Sequence, residues 1–282
     1  MRLNIKLHAL GLGLVLLASA AMAGAAEPQP RKPNIVFILV DNLGYGDIGA
    51  YGGGELRGAP TPDIDQLARE GLRLTNFNVE PECTPSRSAL MTGRMPVRSG
   101  LDGQVANPGN RGGLSPWEVT LPELLQKAGY RTAMYGKWHL GRAAGTTPLD
   151  KGFHETLEMN GNLYLPEDSP DVVNNYTEFS LQIQRAWQTG SWGVTWQNGD
   201  RMEPGGYLTD YFTDEAVKFI EANKNRPFFL HLSHWGVHSP LQAKKEDYDA
   251  LSHITDERSK VYAAMIRALD RGVERVMQAW VG

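Results

Sequence analysis

The chain has 282 residues, a formal net charge of −4 and a single cysteine. That length supports one substantial domain. The slight acidity and the lack of a basic run argue against a nucleic-acid partner, and one thiol excludes an internal disulfide.

At the start, Arg2 and Lys6 precede an apolar run from Leu10 to Leu17 and the small-residue pattern Ala21-Met22-Ala23. Residues 1–26 thus read as a secretory signal peptide, too short and wrongly flanked for a membrane anchor. The expected location is secreted or periplasmic. Residues 27–33 form a polar, Pro-rich lead-in. No later segment has the length and apolarity to cross a membrane, so no membrane partner is expected.

The run NIVFILVDN, residues 34–42, is apolar, β-branched and too short for a helix. It predicts a strand buried on both faces, as in a parallel sheet. It ends at Asp41 and Asn42 and a Gly-rich loop. TPDIDQLAREG predicts a helix with Thr61 as cap, Pro62 at the first position and Gly71 as stop. TLPELLQKAG repeats that grammar with Thr120 and Gly129, and YRTAMYGKWHLG predicts a strand running into Lys137 and His139.

Residues 142–206, rich in Gly, Asn and Trp with little periodicity, read as an elaborated loop region over the sheet edge. Within it, Trp187, Trp192 and Trp196 are either a substrate wall or loop-packing aromatics. Asn175-Tyr176-Thr177 is a formal glycosylation triplet. TDYFTDEAVKFIEAN predicts a helix, and PFFLHLSHWGVHSP predicts a strand ending among His231, His234 and His238. His231 alternates into the strand and is expected to be packed.

Strands alternating with helices make an α/β domain with a mostly parallel sheet, and such sheets bind ligands outside the carboxyl ends of their strands. Three predicted strands end there in chemistry-capable residues: Asp41 and Asn42, Lys137 and His139, His234 and His238. The lone Cys83 lies in ECTPSRSALMTGR, where Pro85 favours a first helical turn and Gly93 a stop. A helix N-terminus favours an anion, and Arg87 four residues on shares the helix face. The expectation is an electropositive pocket suited to a thiolate or to an oxyanion-rich substrate beside Cys83.

At these residues the chain resembles a known family. CTPSRSALMTGR is similar to the signature of the type I sulfatases, the arylsulfatase-like, formylglycine-dependent branch of the alkaline-phosphatase-like superfamily. The segments PNIVFILVDNLGYGDIGAYGG, GYRTAMYGKWHLG, PFFLHLSHWGVHSPL and VYAAMIRALDRGVERVM resemble further family segments, in family order. The resemblance implies a mostly parallel central sheet flanked by helices, in a catalytic domain over residues 34–282 that is incomplete at the C-terminus. The family's second metal-ligand pair and a further sulfate-binding lysine would lie past Gly282.

The resemblance also implies roles. A separate formylglycine-generating enzyme oxidises Cys83 to an aldehyde that hydrates to a diol. One hydroxyl attacks sulfur and displaces the alcohol, and the other loses its proton and expels sulfate. Asp41 and Asn42, with the side chain at Cys83, hold Ca²⁺ or Mg²⁺; Asn42 departs from the family's usual second aspartate. Asp47 serves as a third ligand or holds the loop. Arg87 anchors diol or sulfate, Lys137 acts electrostatically, His139 takes the diol proton, and His238 binds sulfate or protonates the leaving oxygen. The implied substrate is a sulfated small molecule or glycan. A phosphomonoester or phosphonate monoester hydrolase on the same framework, and a non-catalytic form that keeps only the fold, are the competing expectations.

Overall fold

The structure is a computed structural model that describes residues 32–54, 59–103, 112–177, 182 and 192–281. The expected signal peptide, most of the lead-in and Trp187 lie outside the described residues. Residues 33–282 form one compact unit.

In chain order the elements are β1 (Ile35–Leu39), α1 (Pro62–Glu70), α2 (Cys83–Thr92), α3 (Pro96–Ser99), α4 (Leu121–Lys127), β2 (Arg131–Gly136), β3 (Glu155–Met159), β4 (Val172–Asn175), β5 (Val194–Trp196) and β6 (Arg201–Met202). There follow α5 (Leu208–Asn223), β7 (Phe228–Ser233), β8 (Leu241–Lys244), α6 (Lys245–Asp249) and α7 (Glu257–Val281). The main sheet has the order β1-β7-β2-β3-β5-β6, and β4 pairs with β8 apart from it. The pairs β1–β7, β7–β2 and β2–β3 are parallel, whereas β3–β5 and β5–β6 are antiparallel.

Alternation along the strands explains why both faces of the sheet are covered. Ala133, Tyr135, Leu230 and Leu232 join Phe212, Phe219 and Ile220 of α5 and Val261, Ala264 and Leu269 of α7 in one core. The intervening Met134 and Phe229 join Met91 of α2, Leu114 and Phe153 in another. Apolar residues at both parities make the central strands continuous apolar runs.

Two local expectations are corrected. Thr61 does not cap α1 with its side chain. Its Oγ1 instead accepts from the Gly49 N–H at 2.9 Å and donates to Asp65 at 3.1 Å. The free N–H groups of α1 are met by Asp270 of α7, whose carboxylate accepts from Ile64 at 2.9 Å and Asp63 at 3.3 Å. The other correction concerns residues 142–206, which hold four strands rather than only loop. These strands have two to five residues, too few for a periodic signal, and β3 carries two partly buried glutamates. Glu155 is matched by Arg131 at 3.0 Å and by the Tyr135 hydroxyl, and Glu158 faces Arg142 at 3.5 Å.

Glu158 supplies a test of that burial. Burial raises its carboxyl to about 7 from 4.5, against the lowering effect of Arg142. A raised folded value means that the stability it contributes is full below pH 4.5 and is lost as pH rises through 7. Denaturant titrations at pH 5 and pH 8 should show up to about 3 kcal/mol lost to this residue, a loss that Glu158→Gln abolishes. Parallel pH profiles for the two proteins would refute the assignment.

Candidate active site

Register sets the site. Leu39 of β1 and Gly136 of β2 both stand level with Ser233 of β7, so three strands end together. Their exits carry Asp41, Lys137 with His139, and His234 with His238. Gly136 has φ +114°, and a Cβ there would strike the Ser233 carbonyl oxygen. Glycine therefore lets β2 and β7 close up at the point where the Lys137 N–H donates to that carbonyl at 2.8 Å.

Helix α2 begins at Cys83 and stops at Gly93, which has φ +66° and sends its N–H to Ala89. Arg87, four residues into that helix, is 4% exposed and lies among the strand ends. Its guanidinium donates to Asp41 Oδ2 at 3.1 Å, the Lys137 carbonyl at 2.9 Å and Ser233 Oγ at 2.5 Å. Lys137 Nζ donates to the same Asp41 Oδ2 at 2.6 Å. Burial alone would raise the Asp41 carboxyl, but Lys137 and then Arg87 overcome it and hold the group at about 2. Two cations against one carboxylate leave excess positive charge at the strand ends.

Cys83 Sγ donates to the other oxygen, Asp41 Oδ1, at 3.3 Å. Burial pushes its thiol up, Lys137 opposes this, and Asp41 adds to it. Of the two expectations for this pocket, a thiolate or an oxyanion-rich substrate beside Cys83, the first is disfavoured: burial and the Asp41 charge favour the protonated thiol against the opposing effect of Lys137. The pocket is electropositive as expected, but not on behalf of a cysteine anion.

The two site histidines are held neutral. His139, with φ +58°, is lowered to about 4 by burial first and then by Lys137 and Arg87, and its Nδ1 is buried without a partner. His238 is likewise lowered to about 4, by burial and then Lys137, while Asp41 pulls the other way. Its ring stacks on Trp235 at 3.8 Å and its Nδ1 meets the Ser239 carbonyl at 2.6 Å. Lys137 Nζ lies over the same indole at 4.5 Å. Tyr164 fixes this loop, donating from its buried hydroxyl to the carbonyls of His238 at 2.8 Å and Trp235 at 3.2 Å.

Asn42, exposed and at φ +62°, lines a cleft of about 390 Å³ with Val237, Ser239, Arg258 and Tyr262. Asp47 accepts from the Tyr262 hydroxyl at 2.9 Å, which serves the loop-holding role. His231 is packed among Phe37, Phe153 and Phe229, and His234 is buried at the strand end. Trp192 packs against the main core, while Trp196 stays 40% exposed. Sequence reasoning missed Ser233 and Trp235. Ser233, a small polar residue closing an apolar strand at the level of Gly136, is the kind of signal that marks a backbone-facing anchor.

The family profile for Sulfatase matches residues 33–280. The chain belongs to the sulfatase family. N-acetylgalactosamine-6-sulfatase of Homo sapiens is 32% identical over 271 residues, covering 91% of this chain and 48% of that protein. Arylsulfatase A of Homo sapiens is 50% identical over 146 residues, 51% of this chain and 27% of that protein. The crystal structure of Ps i-CgsB with k-i-k-neocarrahexaose is 33% identical with a TM-score of 0.76, covering 88% of this chain and 55% of that one. The sulfatase chain thus spans about half the length of the curated relatives it matches.

Asp41, Cys83 and His238 each bring a ligand-capable atom within 4.8 Å of the others. This set, one oxygen, one sulfur and one nitrogen, does not fit Ca²⁺ or Mg²⁺, which take about six to eight oxygens or a near-octahedral six. Asp41 is the one oxygen donor of that set, and Asn42 lines the cleft with Val237 and Ser239.

Proposed function

We propose that this sulfatase-family chain carries the nucleophile and anion pocket of a sulfuric ester hydrolase. Oxidation of Cys83 by a formylglycine-generating enzyme supplies a hydrated aldehyde whose hydroxyl attacks sulfur. The observation that carries the reading is the excess positive charge of Arg87 and Lys137 around Asp41, beside Cys83, at the level ends of three strands. A sulfate ester is an anion whose charge shifts to the leaving oxygen in the transition state, and fixed cations in a buried site favour that shift.

The remaining roles follow from chemistry. Lys137 and Arg87 bind and orient the sulfate oxygens. Neutral His139 accepts the proton of the second hydroxyl when sulfate is expelled, its low value marking it as an acceptor at neutral pH. His238, whose Nδ1–H is spent on the Ser239 carbonyl, bonds a sulfate oxygen or protonates the leaving oxygen only as the imidazolium, donating from Nε2. Asp41 and Asn42 are the proposed oxygen donors for Ca²⁺ or Mg²⁺, which would acidify a bound hydroxyl and balance sulfate charge.

The names of the relatives favour a sulfated sugar as the substrate class. Residues 34–282 are the proposed catalytic portion, and residues 1–26 direct secretion or export to a periplasm. Among the described residues no helix is long and apolar enough to cross a membrane.

The test is expression with a formylglycine-generating enzyme, followed by mass spectrometry of the peptide containing Cys83 and turnover of matched aryl sulfate and aryl phosphate. An aldehyde at residue 83 with faster sulfate turnover is expected. Unmodified thiol alone, or a preference for phosphate, would sink the reading.

A further inference from the structure

We infer that, while residue 83 is still a thiol, Asp41, Cys83 and His238 form a binding site for a borderline divalent ion of the Zn²⁺ class. This rests on the geometry of the cluster, not on the sulfatase reading, since it concerns the unoxidised chain.

The donor set is one carboxylate oxygen, one sulfur and one imidazole nitrogen, all within 4.8 Å. Zn²⁺ accepts all three types and, at its usual bond lengths, spaces its donors about 3.3–3.7 Å apart. The Cys83 Sγ to Asp41 Oδ1 separation, 3.3 Å, already has that spacing. The two separations to His238 are within 4.8 Å, so a shift of up to about an ångström by its ring brings both to that spacing.

The surroundings orient the donors as a metal site requires. Asp41 divides its oxygens: Oδ2 accepts from Lys137 at 2.6 Å and Arg87 at 3.1 Å, while Oδ1 faces the thiol. His238 places Nδ1 against the Ser239 carbonyl at 2.6 Å, so Nδ1 carries the hydrogen and Nε2 keeps its lone pair. A ring N–H tied to a backbone carbonyl and a carboxylate held on its second oxygen are the outer contacts that fix metal ligands. Trp235, stacked at 3.8 Å, holds the ring plane. Lys137 and Arg87 weaken cation binding, and the thiolate formed as the ion displaces the thiol proton offsets them. Three protein donors leave a fourth position open to water or an anion.

The consequence is an exchange of metal preference at one position. Sulfur at residue 83 selects a borderline ion, and oxygen there selects a hard one.

The test uses the unoxidised chain, free of tags, titrated with Co²⁺ as a coloured stand-in for Zn²⁺. One equivalent should produce thiolate-to-cobalt charge-transfer absorption, which added Zn²⁺ removes. Because Cys83 is the sole cysteine of the chain, that band has one possible source. Cys83→Ser should abolish it, and His238→Ala should weaken Co²⁺ binding at least tenfold. In the unaltered chain, Zn²⁺ should slow alkylation of Cys83 at least tenfold, a measurement that needs no variant. The inference is overturned if no band forms at saturating Co²⁺, if His238→Ala binds as tightly as the parent, or if Zn²⁺ leaves alkylation unchanged.

Discussion

Arg87→Ala should lower the free energy of unfolding by about 3–5 kcal/mol, the scale for removing one partner of a buried ion pair. Arg87 and Asp41 are 4% and 5% exposed, so no water stands ready to replace the lost contact. The variant also loses the bonds from Arg87 to the Ser233 hydroxyl and the Lys137 carbonyl, although those two groups keep each other as partners at 2.8 Å. Lys137 remains on Asp41 at 2.6 Å, which places the loss below that of a wholly unpaired carboxylate. Denaturant unfolding is the measurement, with Lys245→Ala, half exposed in an i,i+4 pair, as a control expected to leave the midpoint unmoved. A loss under about 1 kcal/mol would mean that the pair is not the buried hub described above.

The largest effect on activity is expected at Cys83. Relative to the protein bearing the aldehyde, Cys83→Ser should release about one alcohol per enzyme molecule and then stop, with steady-state turnover down on the order of a thousandfold or more, as losses of a covalent nucleophile usually are. A serine hydroxyl can attack sulfur, yet its sulfate ester has no second hydroxyl from which His139 could take a proton. The ester remains, and mass spectrometry should find sulfate on residue 83. Sustained turnover by the serine variant would show that the second hydroxyl is dispensable and that His139 acts elsewhere.

The parts of this site that were legible in the sequence are those that announce themselves locally. Asp41 and Lys137 stand just past apolar runs, and Pro85 and Gly93 bracket the helix that begins at Cys83. The strand order was not legible, since nothing in NIVFIL or PFFLHL says that they are neighbours; that follows from register and helix packing. The cap of α1 was misjudged because Thr61 is an ordinary local choice, whereas Asp270 reaches it from the far end of the chain. Of the strands within residues 142–206, β4, β5 and β6 are too short for a periodic signal, and β3 was hidden by glutamates that are matched by Arg131 and Arg142, partners fixed only by the fold. The thiolate alternative lost ground for the same reason: helix position was readable, and the carboxylate across from it was not.

The position of β1 bears on how the molecule is made. Among the described residues its sheet partner is β7, with Ile35 beside Phe229 and Leu39 beside Ser233. A ribosome therefore releases IVFIL long before the strand that will shelter it exists. During that interval an apolar ribbon with unpaired amides trails outside the tunnel, the kind of exposure that draws chaperones or other nascent chains. Pairing across so much sequence is also slow to find. In pulse-labelled hydrogen exchange on stalled nascent chains, Ile35–Leu39 should stay unprotected until the chain extends past Ser233, and only then should the strand exits that carry Asp41, Lys137 and His238 come level.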